Sequence, residues 1–143
     1  MDKVIQRFKV NISKGVKDYY EVFIFDSKLG MKTAFQELGV YGGFEAITHS
    51  WMFSTLRAGK VQVLPNCGII GFHKGNITPA VISHEMTHAA NHYWKNHGKS
   101  FNLNKVSKKW FDHDEVHATM QGYMVNEFWK QYKGRFKRFN IWK

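Results

Sequence analysis

Hydrophobic and polar positions change period several times along the chain, and each change marks an element. β-Branched and aromatic residues dominate positions 4–10 and 19–26, separated by the polar, glycine-ended Asn11-Ile12-Ser13-Lys14-Gly15. That pattern predicts a β-hairpin, because such side chains favour a pleated surface and the residues between them favour a turn. Ser27 then predicts a capped helix to about Leu38, with Leu29, Met31, Phe35 and Leu38 available for its core face and Gly39 closing it. After a turn at Gly42-Gly43, extended segments are expected at about 44–53, 60–64 and 68–73, with Pro65-Asn66 turning the chain between the last two.

Several devices agree on the next element. Thr78 is a good N-cap, Pro79 suits the first helical position, and Ile77 can staple onto Ile82 across the cap. No Gly or Pro follows until Gly98, placed as a C-terminal cap after Lys95 and His97. Within this helix Ile82, Met86, Ala89, Ala90 and Tyr93 form a face apolar enough to bury. Positions 98–111 are polar and irregular, and Asp112 opens a second long helix expected to reach about Lys133. The order of strands, helix, strands, helix, helix predicts an α+β domain.

Composition adds limits. A chain of 143 residues with 43% hydrophobic content is large enough to bury a core, and one domain is expected. No apolar run approaches the roughly 18 to 20 residues of a bilayer span. The start, Met1-Asp2-Lys3-Val4-Ile5-Gln6-Arg7, lacks a secretory signal pattern, and the lone Cys67 gives no disulfide framework, so a cytoplasmic location is expected. The formal charge of +10 suggests an acidic partner. Lys130, Lys133, Arg135, Lys137, Arg138 and Lys143 interleave with Phe128, Trp129, Tyr132, Phe136, Phe139 and Trp142, a mixture that can hold phosphates and stack bases of nucleic acid. The favoured alternative is a helix end and tail whose aromatics pack inward while the basic heads stay wet.

The chemistry concentrates in His84-Glu85-Met86-Thr87-His88. Positions four apart share a helix face, so His84 and His88 can present nitrogens to one zinc ion. Glu85 then stands beside the activated water, whose pKa zinc lowers to about 7, and can take its proton as general base. A catalytic zinc needs a third protein ligand and an open position. His92 extends the row, but a straight helix puts it roughly 12 Å above His84. His97 lies nine residues beyond His88, roughly 13 Å along a continuous helix and on its opposite side. Glu115 begins a face with Ala118, Thr119 and Gly122, small residues that would let the second helix approach the first and the carboxylate reach the ion. Glu115 is the expected ligand; Asp112 and Glu115 also have the spacing of a capping box. An oxyanion donor could come from Tyr123, His117 or Tyr93, and Asp112, Asp114 or Asn91 could orient the imidazoles, with no spacing that selects among them.

With these residues together, the chain resembles the gluzincin group of zinc peptidases, and more narrowly small phage-encoded proteins of that type, through His84-Glu85-Met86-Thr87-His88-Ala89, Asp114-Glu115 and Gly122-Tyr123. The resemblance covers about 78–128. It implies a zincin-like α+β fold, a small twisted, mainly antiparallel sheet packed on the His84–His88 helix and a second C-terminal helix, with His84, His88 and Glu115 as zinc ligands, Glu85 as general base, a peptide or protein substrate, host cytoplasm as the location, and the strand at 68–73 as the edge lining the cleft. His97-Gly98-Lys99-Ser100-Phe101 is also similar to an element of SprT-like proteases, which implies action on DNA-bound protein if His97 is a ligand. The competing class is a non-enzymatic module on the same scaffold that uses its basic surface on nucleic acid or an acidic protein.

Overall fold

The structure, a computed structural model, describes residues 4–40, 42, 45–50, 55–57, 60–62, 66–97 and 113–133, without the side chains at 55–57, 60–62, 96–97 and 113–115. The hairpin forms as the pattern predicts. Strands β1 (Val4–Asn11) and β2 (Tyr19–Phe25) pair antiparallel, with Phe8 opposite Val22 and Asn11 opposite Tyr19. Its loop is drawn inward, since Ile12 is fully buried and its amide donates to Asp18 O at 3.1 Å.

Helix α1 (Lys28–Gln36) starts at Ser27, whose Oγ accepts from the Gly30 amide at 3.0 Å. Its buried stripe is narrower than the sequence suggests: Met31 and Phe35 are buried, whereas Leu29 and Leu38 are 72% and 48% exposed. At 100° per residue Leu29 stands about 200° from Met31, on the far side of the helix. Leu38 lies past the last helical turn, where the chain reverses at Gly39 with φ 82°.

Each expected extended segment contains a strand. Strands β3 (Ile47–Ser50), β4 (Thr55–Arg57), β5 (Lys60–Gln62) and β6 (Asn66–His73) follow, with β4 and β5 pairing as a separate antiparallel ribbon. Of these, β4 is an additional one, and β6 begins at Asn66, earlier than expected. The main sheet has the order β1-β2-β6-β3 and is mixed: β1–β2 and β3–β6 are antiparallel, while β2–β6 is parallel. The long connection through α1 and three strands returns the chain to the end where β2 began, which a parallel neighbour requires. In consequence β6 is an inner strand and β3 is the edge, so the expected placement of 68–73 at the edge is corrected. Two glycines of β6 permit this stacking. A Cβ on Gly68, whose φ is 154°, would stand 2.2 Å from His49 O of β3, and one on Gly71 would stand 2.4 Å from the Phe35 ring.

Alternation along the central strands separates two cores. Phe23, Phe25, Ile69 and Ile47 meet Met31 and Phe35 of α1 on one face. On the other face Tyr20, Val22, Ile24, Ile70 and Phe72 meet the two long helices, α2 (Pro79–His97) and α3 (His113–Gln131). Thr78 Oγ1 accepts from the Val81 amide at 3.2 Å, as a cap should, and Ile77 and Ile82 both enter this core. Helix α3 packs through Val116, Met120, Met124 and Phe128, with Tyr132 continuing the i, i+4 line just past its end. Phe128 is its hub, with ring centroids 5.4 Å from those of Phe8, Phe72 and Tyr132. Cys67 is buried on β6, and burial pushes its thiol up to about 12. Among the described residues the fold is α+β, a small mixed sheet with three α-helices, and no helix is long and apolar enough to cross a membrane.

Candidate metal centre

Because Ile82, Met86, Ala89, Ala90 and Tyr93 turn into the core, the opposite side of α2 faces out, and that side carries His84 and His88. Their Nε2 atoms lie 3.1 Å apart and their rings meet at 84°. Two ligands 2.0–2.1 Å from a tetrahedral zinc are about 3.3 Å apart, so the pair fits one ion. At this distance the rings share either a hydrogen bond or a metal. One donor atom from each of His84, Glu85 and His88 falls within 4.8 Å of the others, the only such group among the described residues.

Glu85 is set differently. Its position on the helix turns it toward β3, and it is the one buried charged residue among those described, 5% exposed. Oε1 accepts from Thr48 Oγ1 at 2.7 Å, and the same hydroxyl lies 3.1 Å from the Glu85 carbonyl oxygen. Oε2 faces the imidazoles, 3.9 Å from His84 Nε2. An open depression of about 390 Å³ beside these groups is lined by Glu45, Ala46, Ala80, Val81, His84 and Glu85. Glu45 is paired with Lys28 at 2.5 Å, which holds its carboxylate below the usual range. A larger apolar hollow of about 640 Å³ lies across the sheet, between α1 and β2, away from the three-residue group.

Comparison with family models, with curated proteins and with solved structures finds no match. The site therefore rests on its own geometry. His92, excluded as a ligand by helix rise, has another partner: its Nδ1 is 2.9 Å from Ser50 Oγ, which is 2.7 Å from the Tyr20 hydroxyl. Burial first, then the neighbouring His88 and Lys95, lowers its pKa. Helix α2 runs unbroken to His97, as a continuous helix required, but that side chain lies outside the described residues. The same holds for Glu115 and Asp114, which fall in the first turn of α3, and Asp112 lies outside altogether.

The small residues that follow Glu115 on α3 do not form the packed face expected of them. Ala118, Thr119 and Gly122 are exposed, and a Cβ on Gly122 would meet nothing within 4 Å. The contact with the core is made by the Val116–Met120–Met124 line, whose longer apolar side chains exclude more water than a small-residue face can. Between α2 and α3, Gln121 Nε2 donates to Ser83 Oγ at 2.7 Å. Of the proposed oxyanion donors, Tyr93 is committed elsewhere, its hydroxyl donating to Asp18 Oδ2 at 2.6 Å. His117 stands edge-on to Trp94, with ring centroids 5.8 Å apart. Tyr123 is half-buried and Asn91 is exposed.

Sequence reading missed Thr48 and Ser50. Their signal was present as hydroxyls two apart in an extended segment, which must share a face. What that face meets is decided by β3 pairing on β6, a long-range event that local pattern does not contain.

Proposed function

We propose that this protein is a zinc-dependent peptidase of the gluzincin kind, with His84, His88 and Glu115 as metal ligands and Glu85 as general base. The reading is carried by one observation: two imidazole Nε2 atoms 3.1 Å apart on an exposed helix face, with a carboxylate oxygen of buried Glu85 3.9 Å from one of them. A small sheet packed on the helix that bears these residues supports the zincin-like part of the reading. When bound, zinc supplies Lewis acidity, acidifying water and polarising a carbonyl. Glu85 Oε2 accepts a proton from attacking water and returns it to the departing amine, a role that needs a fixed carboxylate within reach of both. The depression beside His84 and Glu85 gives a peptide access, and Glu45 and Ala46, the residues just before β3, line it together with Ala80 and Val81.

The second reading, binding to nucleic acid or an acidic protein, is favoured by the charge of +10. It loses three of its stacking groups, because Phe128 and Tyr132 are buried and Trp129 packs on the core; positions 134–143 lie outside the described residues. The deciding experiment measures zinc content and cleavage of labelled casein for the native chain, Glu85→Gln and Glu115→Ala. Glu85→Gln is expected to keep zinc and lose cleavage, and Glu115→Ala to lose zinc. Equal cleavage by the native chain and Glu85→Gln removes the peptidase reading; full zinc in Glu115→Ala removes that ligand.

A further inference from the structure

Glu85 presents its two carboxylate oxygens to different surroundings. One is bound to β3 through Thr48, and the other faces the histidine pair. We propose that Thr48 is the positioning residue of the site, holding Oε1 so that Oε2 keeps its aim; this rests on Glu85 being the general base. An O–H···O⁻ bond of 2.7 Å is of the short, charge-assisted kind. Without it, the carboxylate can turn about its last torsion, which is broad and has no strong rotamer of its own. The same hydroxyl also reaches the Glu85 carbonyl oxygen at 3.1 Å, so it registers the backbone of α2 as well as its side chain.

The strand is built to deliver this hydroxyl. Thr48 stands opposite Ile70 in the β3–β6 register, and Gly68 lets β3 come close enough for that pairing to continue to Ser50. A β-branched side chain at a strand position has few χ1 choices, which fixes the hydroxyl's direction. Ser50, two residues on, bonds to His92 two turns further along α2, so the edge strand pins the helix at two points and only the Thr48 pin touches the three-residue group.

The test compares the zinc-loaded native chain with Thr48→Val, Thr48→Ser and Ser50→Ala, using fluorescein-labelled casein. Thr48→Val removes the hydroxyl at nearly constant shape. It is expected to lower kcat at least tenfold with KM within about twofold and zinc content unchanged, while Thr48→Ser stays within about threefold of the native chain and Ser50→Ala matches it. A Thr48→Val enzyme within twofold of native, a Thr48→Ser enzyme as impaired as Thr48→Val, or an equal loss in Ser50→Ala overturns the proposal. If the native chain cleaves nothing, the peptidase reading fails by itself, and a double-mutant cycle of Thr48→Val with Glu85→Ala in urea unfolding decides the contact. Coupling of fivefold or more in the unfolding constant upholds it, and additivity within twofold overturns it.

Discussion

Replacing Gly68 by alanine isolates what brings the edge strand to the helix that carries the histidine pair. At φ 154° a side chain is strained wherever it points, and the added Cβ would also stand 2.2 Å from His49 O and 2.8 Å from Ser50 Cα. Both neighbours are backbone, so no rotamer change relieves the clash. Strain of about 1–3 kcal/mol together with overpacking of about 1–3 kcal/mol gives an expected loss of about 2–6 kcal/mol. Gly15→Ala is the comparison, because Gly15 has φ 78° but nothing within 4 Å of the new Cβ, and strain alone should cost about 1–2 kcal/mol. Urea unfolding of the two variants measures the difference. His84 and His88 sit on α2 rather than on β3, so Gly68→Ala should retain zinc while losing casein cleavage, as Thr48 is carried away from Glu85. A Gly68→Ala protein no less stable than Gly15→Ala, or one that cleaves normally, refutes the claim that this glycine sets the approach of β3.

Other outcomes follow from the same structure. Zinc at a hundredfold excess over its dissociation constant should stabilise the chain by about 2.7 kcal/mol; the midpoint shift in thermal unfolding should vanish in His84→Ala and in His88→Ala, and a shift retained in either would exclude that ligand. Phe128→Ala, which empties the hub between Phe8, Phe72 and Tyr132, should cost about 3–5 kcal/mol by urea unfolding. Burial holds the protons of Cys67, Tyr20 and Tyr93 more tightly in the folded chain, Cys67 up to about 12. Because these folded values lie above the unfolded ones, stability should be full below about pH 9 and decline as the pH climbs toward 12; a flat urea midpoint over that range would contradict it.

The elements with local causes were legible in the sequence. Ser27 and Thr78 cap the helices they precede, and the apolar line from Ile82 to Tyr93 fixes which side of α2 turns outward, and so where His84 and His88 point. Sheet order was not legible, since the parallel pairing of β2 with β6 joins segments some forty residues apart in number and no local period records it. For the same reason local pattern identifies neither β3 as the edge nor Thr48 as a partner of Glu85. On α3 two patterns competed: the small residues Ala118, Thr119 and Gly122, and the line of Val116, Met120, Met124 and Phe128. Both have helical spacing, but only the second offers enough apolar surface to hold a helix on a sheet.

The outward placement of the two histidines has a further consequence. One side of α2 carries the packing and the other carries the imidazoles, with Glu85 at the seam between them. Folding thus draws on residues that the proposed metal site leaves untouched, and under that proposal the apoprotein should be a finished receptacle rather than a chain awaiting its ion. Chelation should then be a reversible surface event, and changes to the ligand set can alter the chemistry while the scaffold beneath persists.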